Sequence, residues 1–585
     1  MTGLRQTVVR LAWVSAVLPL VSSHVPHFAS KETQLWWDLG QNEVASALNV
    51  RHNWNVAKNV IMFLGDGMGI TANTAARIYK GQKNGMNGEE GYLTWERFPT
   101  AALLKTYNID KQVPDSAATA TAYLSGVKAN SRTLGVNSAV EFGDCAASKN
   151  SENHVSSILQ WAQDAGMSTG IVTTTRVTHA TPAALYAHSP HRNWECDGKL
   201  GEDGAGCKDI ADQLINDSPG KNVKVILGGG RQALGAGLDP ASNGTTCTRQ
   251  DDRNLAHEWL AHKTAGGHTA KYITTAEDLK KVDTKNTDYL LGLFADSHMP
   301  FVVELEEGQT EVPSLEEMAL KAIEMLKKSK EGFFLLVEGG RIDHGLHKNS
   351  PHRAVEEAVA MDRAVAAALK EVDLEETLVL VTADHSHVLT INGYPDRGND
   401  ILGITGKESN VDGLNYTTLM FTTGPGFNYS TENMTVTRHD VTLMDTRDLE
   451  YKSVAAVPMT SETHGGEDVA VWATGPMAHL FHRTHEQNYV AHVMAYAACV
   501  GPSQSKCERP KTATFTKKGT SLRSVLAGQQ KVDHTSVPWY NRETSKFPTA
   551  VDPDLQEQLD EKERKILKWL GQQARSSPWS EDLLE

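Results

Sequence analysis

At 585 residues the chain can bury a large core, and ordinary domain sizes allow about two to four domains. Apolar content of 40% and charged content of 22% are ordinary for a soluble globular protein. The formal net charge of −15, from 57 basic and 72 acidic residues, argues against nucleic acid or an anionic membrane as the main partner. It leaves room for a local basic pocket around a small anion.

In chain order, Arg5 and Arg10 precede an apolar run at 11–21, and Val21-Ser22-Ser23 offers small residues for cleavage. Residues 1–23 therefore read as a secretory signal peptide rather than a buried helix. Residues 24–58 form an N-terminal arm, helical over 31–50, with Leu35, Trp36 and Leu39 at helical spacing. From 59 to 507 short apolar runs alternate with helical patterns. Strands are expected at 60–64, 170–173, 223–227, 333–337, 378–381 and 469–472. The clearest helix spans 314–328, where Ser314 and Glu317 make a capping box ahead of Met318, Ala322 and Met325 on one face. Another covers about 352–369. Buried-type strands separated by helices predict an α/β fold, with a mainly parallel central sheet covered by helices on both faces.

The stretch 394–460 is rich in Gly, Asn and Thr, breaks this rhythm and reads as a surface insertion. Beyond Cys507 the composition turns polar, so 508–585 reads as an extension with one amphipathic helix at 555–570. The last residues lack the apolar tail of a GPI-anchor signal, and release rather than tethering is expected. After the signal, no stretch approaches the roughly 18–20 apolar residues that cross a bilayer. Glycosylation sequons at Asn216, Asn243, Asn415, Asn428 and Asn433 agree with export. So does the even set Cys145, Cys196, Cys207, Cys247, Cys499 and Cys507, which reads as structural disulfides among about 15 formal pairings.

Ligands of open α/β sheets gather beyond the carboxyl ends of the strands. Three expected strands run straight into metal-type side chains. The first delivers Asp66; 333–337 delivers Glu338, then Asp343, His344 and His347; 378–381 delivers Asp384, His385 and His387. A single acid at a strand end is ordinarily a cap or turn residue. Three at one end of one sheet, two with neighbouring histidines, point to a metal cluster. Aspartate with histidine suits zinc; aspartate, glutamate and hydroxyl oxygen suit magnesium. Asp115-Ser116 heads an alanine-rich helix that Gly126 ends. A serine there is most often a plain N-cap, but an adjacent cation would make its hydroxyl a nucleophile. Thr181 and His179, Arg192 with a planar fork for phosphate oxygens, and His464 in a glycine-flanked loop complete the set.

The segments GDGM at 65–68, DSAATATAYLSGVK at 115–128, RVTHATPAALYAHSPHRNWE at 176–195, FFLLVEGGRIDHGLH at 333–347, VTADHSH at 381–387 and ETHGGEDV at 462–469 resemble those of eukaryotic alkaline phosphatases. The resemblance keeps one order across about 45–507. It implies hydrolysis of small phosphate monoesters of broad range through a phosphoserine on Ser116, with Arg192 clamping the phosphate. It also implies two zinc ions and one magnesium ion per subunit. One zinc would be held by Asp343, His347 and His464, the other by Asp66, Asp384 and His385. Magnesium would be held by Asp66, Thr181 and Glu338, with His179 just outside it and His387 beside the zinc pair. A homodimer is implied, with the arm reaching the partner and the insertion forming a crown. Cys145–Cys207 and Cys499–Cys507 match the family's disulfides; Cys196 and Cys247 are extra, and a third bridge between them is expected.

A calcium site of vertebrate members is expected to be absent, because its carboxylates align with Ala241, Ala295 and Val312. Only the Phe294 backbone remains, with Asp296 and Glu311 nearby. A sulfatase or phosphodiesterase on the same scaffold is disfavoured by the surroundings of Ser116. A non-catalytic adhesion protein is disfavoured because every mapped position is filled.

Overall fold

The computed structural model describes residues 30–237, 247–305, 311–427, 429–432 and 435–506. The expected signal peptide, the extension 508–585, Cys507, Ala241 and the sequons at Asn243, Asn428 and Asn433 lie outside the described residues.

The first element, α1 (Lys31–Leu48), is capped by Ser30, whose hydroxyl accepts from the Thr33 N–H at 3.2 Å. None of its residues is buried; Trp36 is 50% exposed and Leu48 82%. Ten strands then build one sheet. They are β1 (Asn59–Gly65), β2 (Thr100–Lys105), β3 (Ser168–Arg176), β4 (Val225–Gly229) and β5 (Ala270–Ile273). After them come β6 (Tyr289–Leu293), β7 (Phe333–Gly339), β8 (Thr377–Ala383), β9 (Val469–Thr474) and β10 (Thr484–Glu486). Across the sheet the order is β10-β2-β9-β8-β1-β7-β3-β4-β6-β5. Only β9 runs antiparallel to its neighbours; the other pairings are parallel.

The central strands β1, β7 and β8 read NVIMFLG, FFLLVEG and TLVLVTA and are buried at every position. Such continuous apolar runs are what a sheet covered on both faces selects. The sequence reading missed β2, β5, β6 and β10. β5 and β10 are edge strands of 4 and 3 residues, partly exposed. β2 alternates buried and open positions, and β6 is short and interrupted by Gly292.

The helices that matter for the site are α2 (Ile70–Lys83), α3 (Ser116–Ser125), α4 (Leu315–Leu326), α5 (Arg341–His347) and α6 (Pro351–Glu371). The Ser314–Glu317 capping box forms at the start of α4: Glu317 N–H donates to Ser314 Oγ at 3.1 Å, and Ser314 N–H to Glu317 Oε2 at 2.9 Å. Met318, Ala322 and Met325 are buried on its inner face, against α6 and β3. Burying each methionine contributes about 1.5–3 kcal/mol. Pro351 sits in the first turn of α6, where its missing N–H costs no helical bond.

The segment 394–460 joins none of the ten strands. Leu419–Gly424 and Ala455–Pro458 pair beside Leu389–Ile391, while Ile404–Glu408 with Asn415–Thr417 and Tyr429–Glu432 with Thr435–Arg438 make two hairpins. Asn415 therefore starts a short strand, and Asn216 ends the helix Ile210–Asn216. Disulfides join Cys145 to Cys207 and Cys196 to Cys247; Cys499 is also disulfide-bonded, and no described cysteine is free. No helix among the described residues is long and apolar enough to cross a membrane.

Candidate active site

Parallel register brings the first acids together. Gly65 of β1 lies level with Gly339 of β7 and Ala383 of β8, so Asp66 and Asp384 leave adjacent strands at one height, with Glu338 one residue below. All three are fully buried. Both Asp66 oxygens, Asp384 Oδ2, Glu338 Oε1 and Thr181 Oγ1 are buried with no hydrogen-bond partner among the described residues. Uncompensated carboxylates packed this way are costly unless cations share them. Burial, reinforced by Asp384, Asp343 and Glu338, drives Asp66 well above the ordinary carboxylate range. Burial likewise pushes Glu338 up to about 7, against a hydrogen bond from Thr173 Oγ1 at 2.5 Å. Asp384 is raised by burial too, although Gly67 N–H donates to its Oδ1 at 2.9 Å.

The histidines are turned for ligation. His385 Nδ1 faces Ser386 O at 3.1 Å, His347 Nδ1 faces Glu462 O at 2.6 Å and His464 Nδ1 faces Pro114 O at 2.8 Å. A carbonyl only accepts, so each ring carries its hydrogen on Nδ1 and keeps the Nε2 lone pair, the tautomer a metal ligand needs. His385 Nε2 stands 3.2 Å from Asp384 Oδ2 and 3.6 Å from Asp66 Oδ1. His464 Nε2 is 3.4 Å and His347 Nε2 3.5 Å from Asp343 Oδ1, and the two nitrogens are 3.1 Å apart. Burial alone would raise Asp343, but His347 and His387 outweigh it and hold it well below its usual value. Asp66, Asp384 and His385 thus form one donor set, with Asp343, His347 and His464 beside it. Asp66 and Glu338, next to His179, form a third. Oxygen-rich and nitrogen-containing sets of this kind fit divalent cations.

Ser116 is the first residue of α3, and the cap is Asp115, not the serine. Asp115 accepts from Ala117 N–H at 3.2 Å and Ala118 N–H at 3.4 Å, and Gly126, at φ 79°, ends the helix. Its hydroxyl is therefore free of capping and lies 3.1 Å from His385 Nε2. Since that nitrogen holds a lone pair, the serine O–H donates. Asp115 also grips Arg192, Nη1 to Oδ2 at 3.0 Å, while Nη2 of the arginine meets His179 Nε2 at 3.3 Å.

His387 stands between Asp343, at 2.7 Å from Nε2, and Glu462, which Nδ1 contacts. Burial opposes its charge, but Glu462 and Asp343 prevail and raise it to about 10, an imidazolium at neutral pH. The sequence reading missed Asp115 and Glu462 as working residues. Both sit in the quoted motifs beside Ser116 and His464, and adjacency was the only signal available. Near the positions aligned with the calcium site, Ala295 O accepts from Gly230 and Arg231 N–H, and Asp296 pairs with Arg231 Nε at 2.8 Å.

The chain matches the alkaline phosphatase family over residues 57–500. It is 47% identical over 517 residues to the tissue-nonspecific alkaline phosphatase isozyme of Homo sapiens, covering 86% of this chain and 96% of that protein. It is 45% identical over 455 residues to a protein of Bombyx mori named membrane-bound alkaline phosphatase, covering 77% and 82%. Among solved structures it shares its fold with alkaline phosphatase from the Antarctic bacterium TAB5, at TM-score 0.52 and 21% identity over 76% of this chain and 99% of that one. The Thermus thermophilus enzyme gives TM-score 0.53 at 23% identity, over 77% and 93%. With a buried cation-type cluster and a serine at the end of a mainly parallel sheet, the chain belongs to the alkaline phosphatase family and hydrolyses phosphate monoesters.

Proposed function

We propose that hydrolysis proceeds through a phosphoserine on Ser116. One observation carries this reading: the Ser116 hydroxyl, freed from capping by Asp115, contacts His385 within the cluster of unpartnered carboxylates. The Oγ–P bond forms as the P–O bond to the alcohol breaks, and the alcohol leaves with a proton. Water then attacks phosphorus, the Oγ–P bond breaks, and inorganic phosphate and free Ser116 result. Arg192, held in place by Asp115, binds the phosphate oxygens throughout with its remaining N–H groups. Recognition concentrated on the phosphate supports a broad substrate range.

Asp343, His347 and His464 would hold one zinc ion and Asp66, Asp384 and His385 a second, while Asp66, Thr181 and Glu338 would hold magnesium. Bound there, the cations would supply Lewis-acid stabilisation of the attacking and leaving oxygens. His387, charged between Asp343 and Glu462, orients Asp343 as a ligand. His179, against Arg192 and the Asp66–Glu338 set, borders the magnesium position. The reading is of an exported homodimer: the basic-apolar leader, the disulfides and the open surface of α1 support it.

Ser116→Ala, assayed with a simple aryl phosphate, should lose at least about 1,000-fold in kcat and form no acid-stable phosphoenzyme. Wild type should form one, and a chelator should silence it until zinc and magnesium are restored. A Ser116→Ala enzyme within tenfold of wild type would overturn the assignment.

A further inference from the structure

Beside the clamp arginine, one nitrogen each of His179, His298 and His344 lies within 4.8 Å of the others. By residue type alone these three imidazoles make a metal centre. Hydrogen-bond polarity says otherwise. In the cation cluster, Nδ1–H of His347, His385 and His464 faces a carbonyl and Nε2 keeps its lone pair. In this second group arginines take the carbonyls' place. Arg192 meets His179 Nε2 at 3.3 Å, Arg176 meets His298 Nε2 at 2.5 Å and Arg341 meets His344 Nδ1 at 2.9 Å. A guanidinium only donates, so each contacted nitrogen holds the lone pair and the ring hydrogen sits on the other nitrogen. A cation drawn to these rings would stand among three guanidinium groups. Burial, aided by the neighbouring arginines, keeps all three rings neutral.

Arg176 is itself immobilised. Glu195 accepts from its Nε at 2.7 Å and its Nη2 at 2.6 Å, Thr178 Oγ1 donates to Glu195 at 2.6 Å, and Ser297 Oγ accepts from Arg176 Nη1 at 3.3 Å. His298 receives the same Nη1 and packs edge-on to His179, centroids 5.2 Å apart, and at 4.3 Å from His344. The arrangement thus runs from a part-buried ion pair, through one imidazole, to the ring that meets the clamp arginine.

We propose that His298 is a positioning residue for the phosphate clamp: it transmits the fixed geometry of the Glu195–Arg176 pair to His179 and, through it, to Arg192. The role rests on Arg192 gripping phosphate, as set out under Proposed function. His298 touches neither substrate nor cation in this role. It fixes an angle.

Two variants of the full, metal-loaded chain test it. His298→Phe keeps a ring but removes the acceptor for Arg176; His298→Asn keeps an amide oxygen that accepts. The Phe variant should raise KM for an aryl phosphate, and the inhibition constant of inorganic phosphate, about tenfold each, with kcat within about twofold. His298→Asn should recover at least half of that loss on a logarithmic scale. Zinc and magnesium per chain should stay at the wild-type value in both, and thermal unfolding midpoints should show that both fold. Unchanged KM and phosphate inhibition in His298→Phe, or equal losses in the two variants, would overturn the proposal. Loss of one bound metal per chain would overturn it too, making the triad a cation site. These outcomes are read in an active enzyme, so they are distinct from failure of the Ser116 assignment, which shows only in Ser116→Ala.

Discussion

At the residue scale, Asp115 carries two loads that pull in one direction. Its carboxylate caps α3 and holds Arg192. Asp115→Ala should therefore cost about 1 kcal/mol of stability, as lost caps do. It should also raise KM for phosphate esters at least about tenfold, because Arg192 loses its anchor. Asp115→Asn, which keeps a capping oxygen, should restore most of the stability but not the affinity. Thermal unfolding and steady-state kinetics on the two variants separate these effects; equal KM values for wild type and Asp115→Ala would refute the anchor role. Much at this scale was legible beforehand. Asp66, Glu338 and Asp384 announced themselves because each follows an apolar run. Glu462 did not: it meets His387 across 75 residues of sequence, and only the fold closes that distance. His298 was equally hidden, on the loop after β6, a strand the sequence did not reveal.

Elements tell a different story, because a helix can be obvious in sequence while its partner is not. Helix α1 formed where the Leu35, Trp36 and Leu39 spacing placed it, yet none of its residues is buried. In proteins most of a helix's stability comes from packing one face against a partner. Trp36 at 50% exposure, Leu48 at 82% and Trp54 at 59% are exposed apolar side chains that a second copy of the chain would cover. Light scattering of the purified chain should give the mass of two chains. Deleting 30–50 should give single chains that still hydrolyse aryl phosphate, since no residue of the cluster lies in that segment. A full-length chain that runs as one copy at micromolar concentration would refute this. The elements that escaped the sequence, β2, β5, β6 and β10, are those whose pattern was diluted by exposure, brevity or an internal glycine.

At the scale of the whole molecule, the fold concentrates carboxylates at the centre of its sheet and depends on cations to make that tolerable. The sign of the pH response follows. In the metal-free chain Glu338 is raised from 4.5 to about 7, with Asp66 and Asp384 raised as well, so the folded state holds protons that the unfolded state has released. Stability is then fully present below the unfolded values and is lost as pH rises from about 4.5 to about 7, by about 3 kcal/mol for Glu338 alone. The buried histidines act in the opposite sense: burial holds His385, His179, His298 and His344 well below 6.5 and His347 at about 4, so the stability they withhold in acid is regained as pH rises toward and through 6.5. Bound cations favour the ionised carboxylates, which removes the loss and adds binding free energy to the folded state. Ligation by the neutral rings of His385 and His347 releases no proton, whereas the raised carboxyls must release theirs, so scanning calorimetry should give a Tm difference between metal-loaded and chelated protein that is larger at pH 8 than at pH 5. A Tm difference of equal size at the two pH values would mean that the buried acids are ionised without metal, and the cluster would lose its reason to bind one.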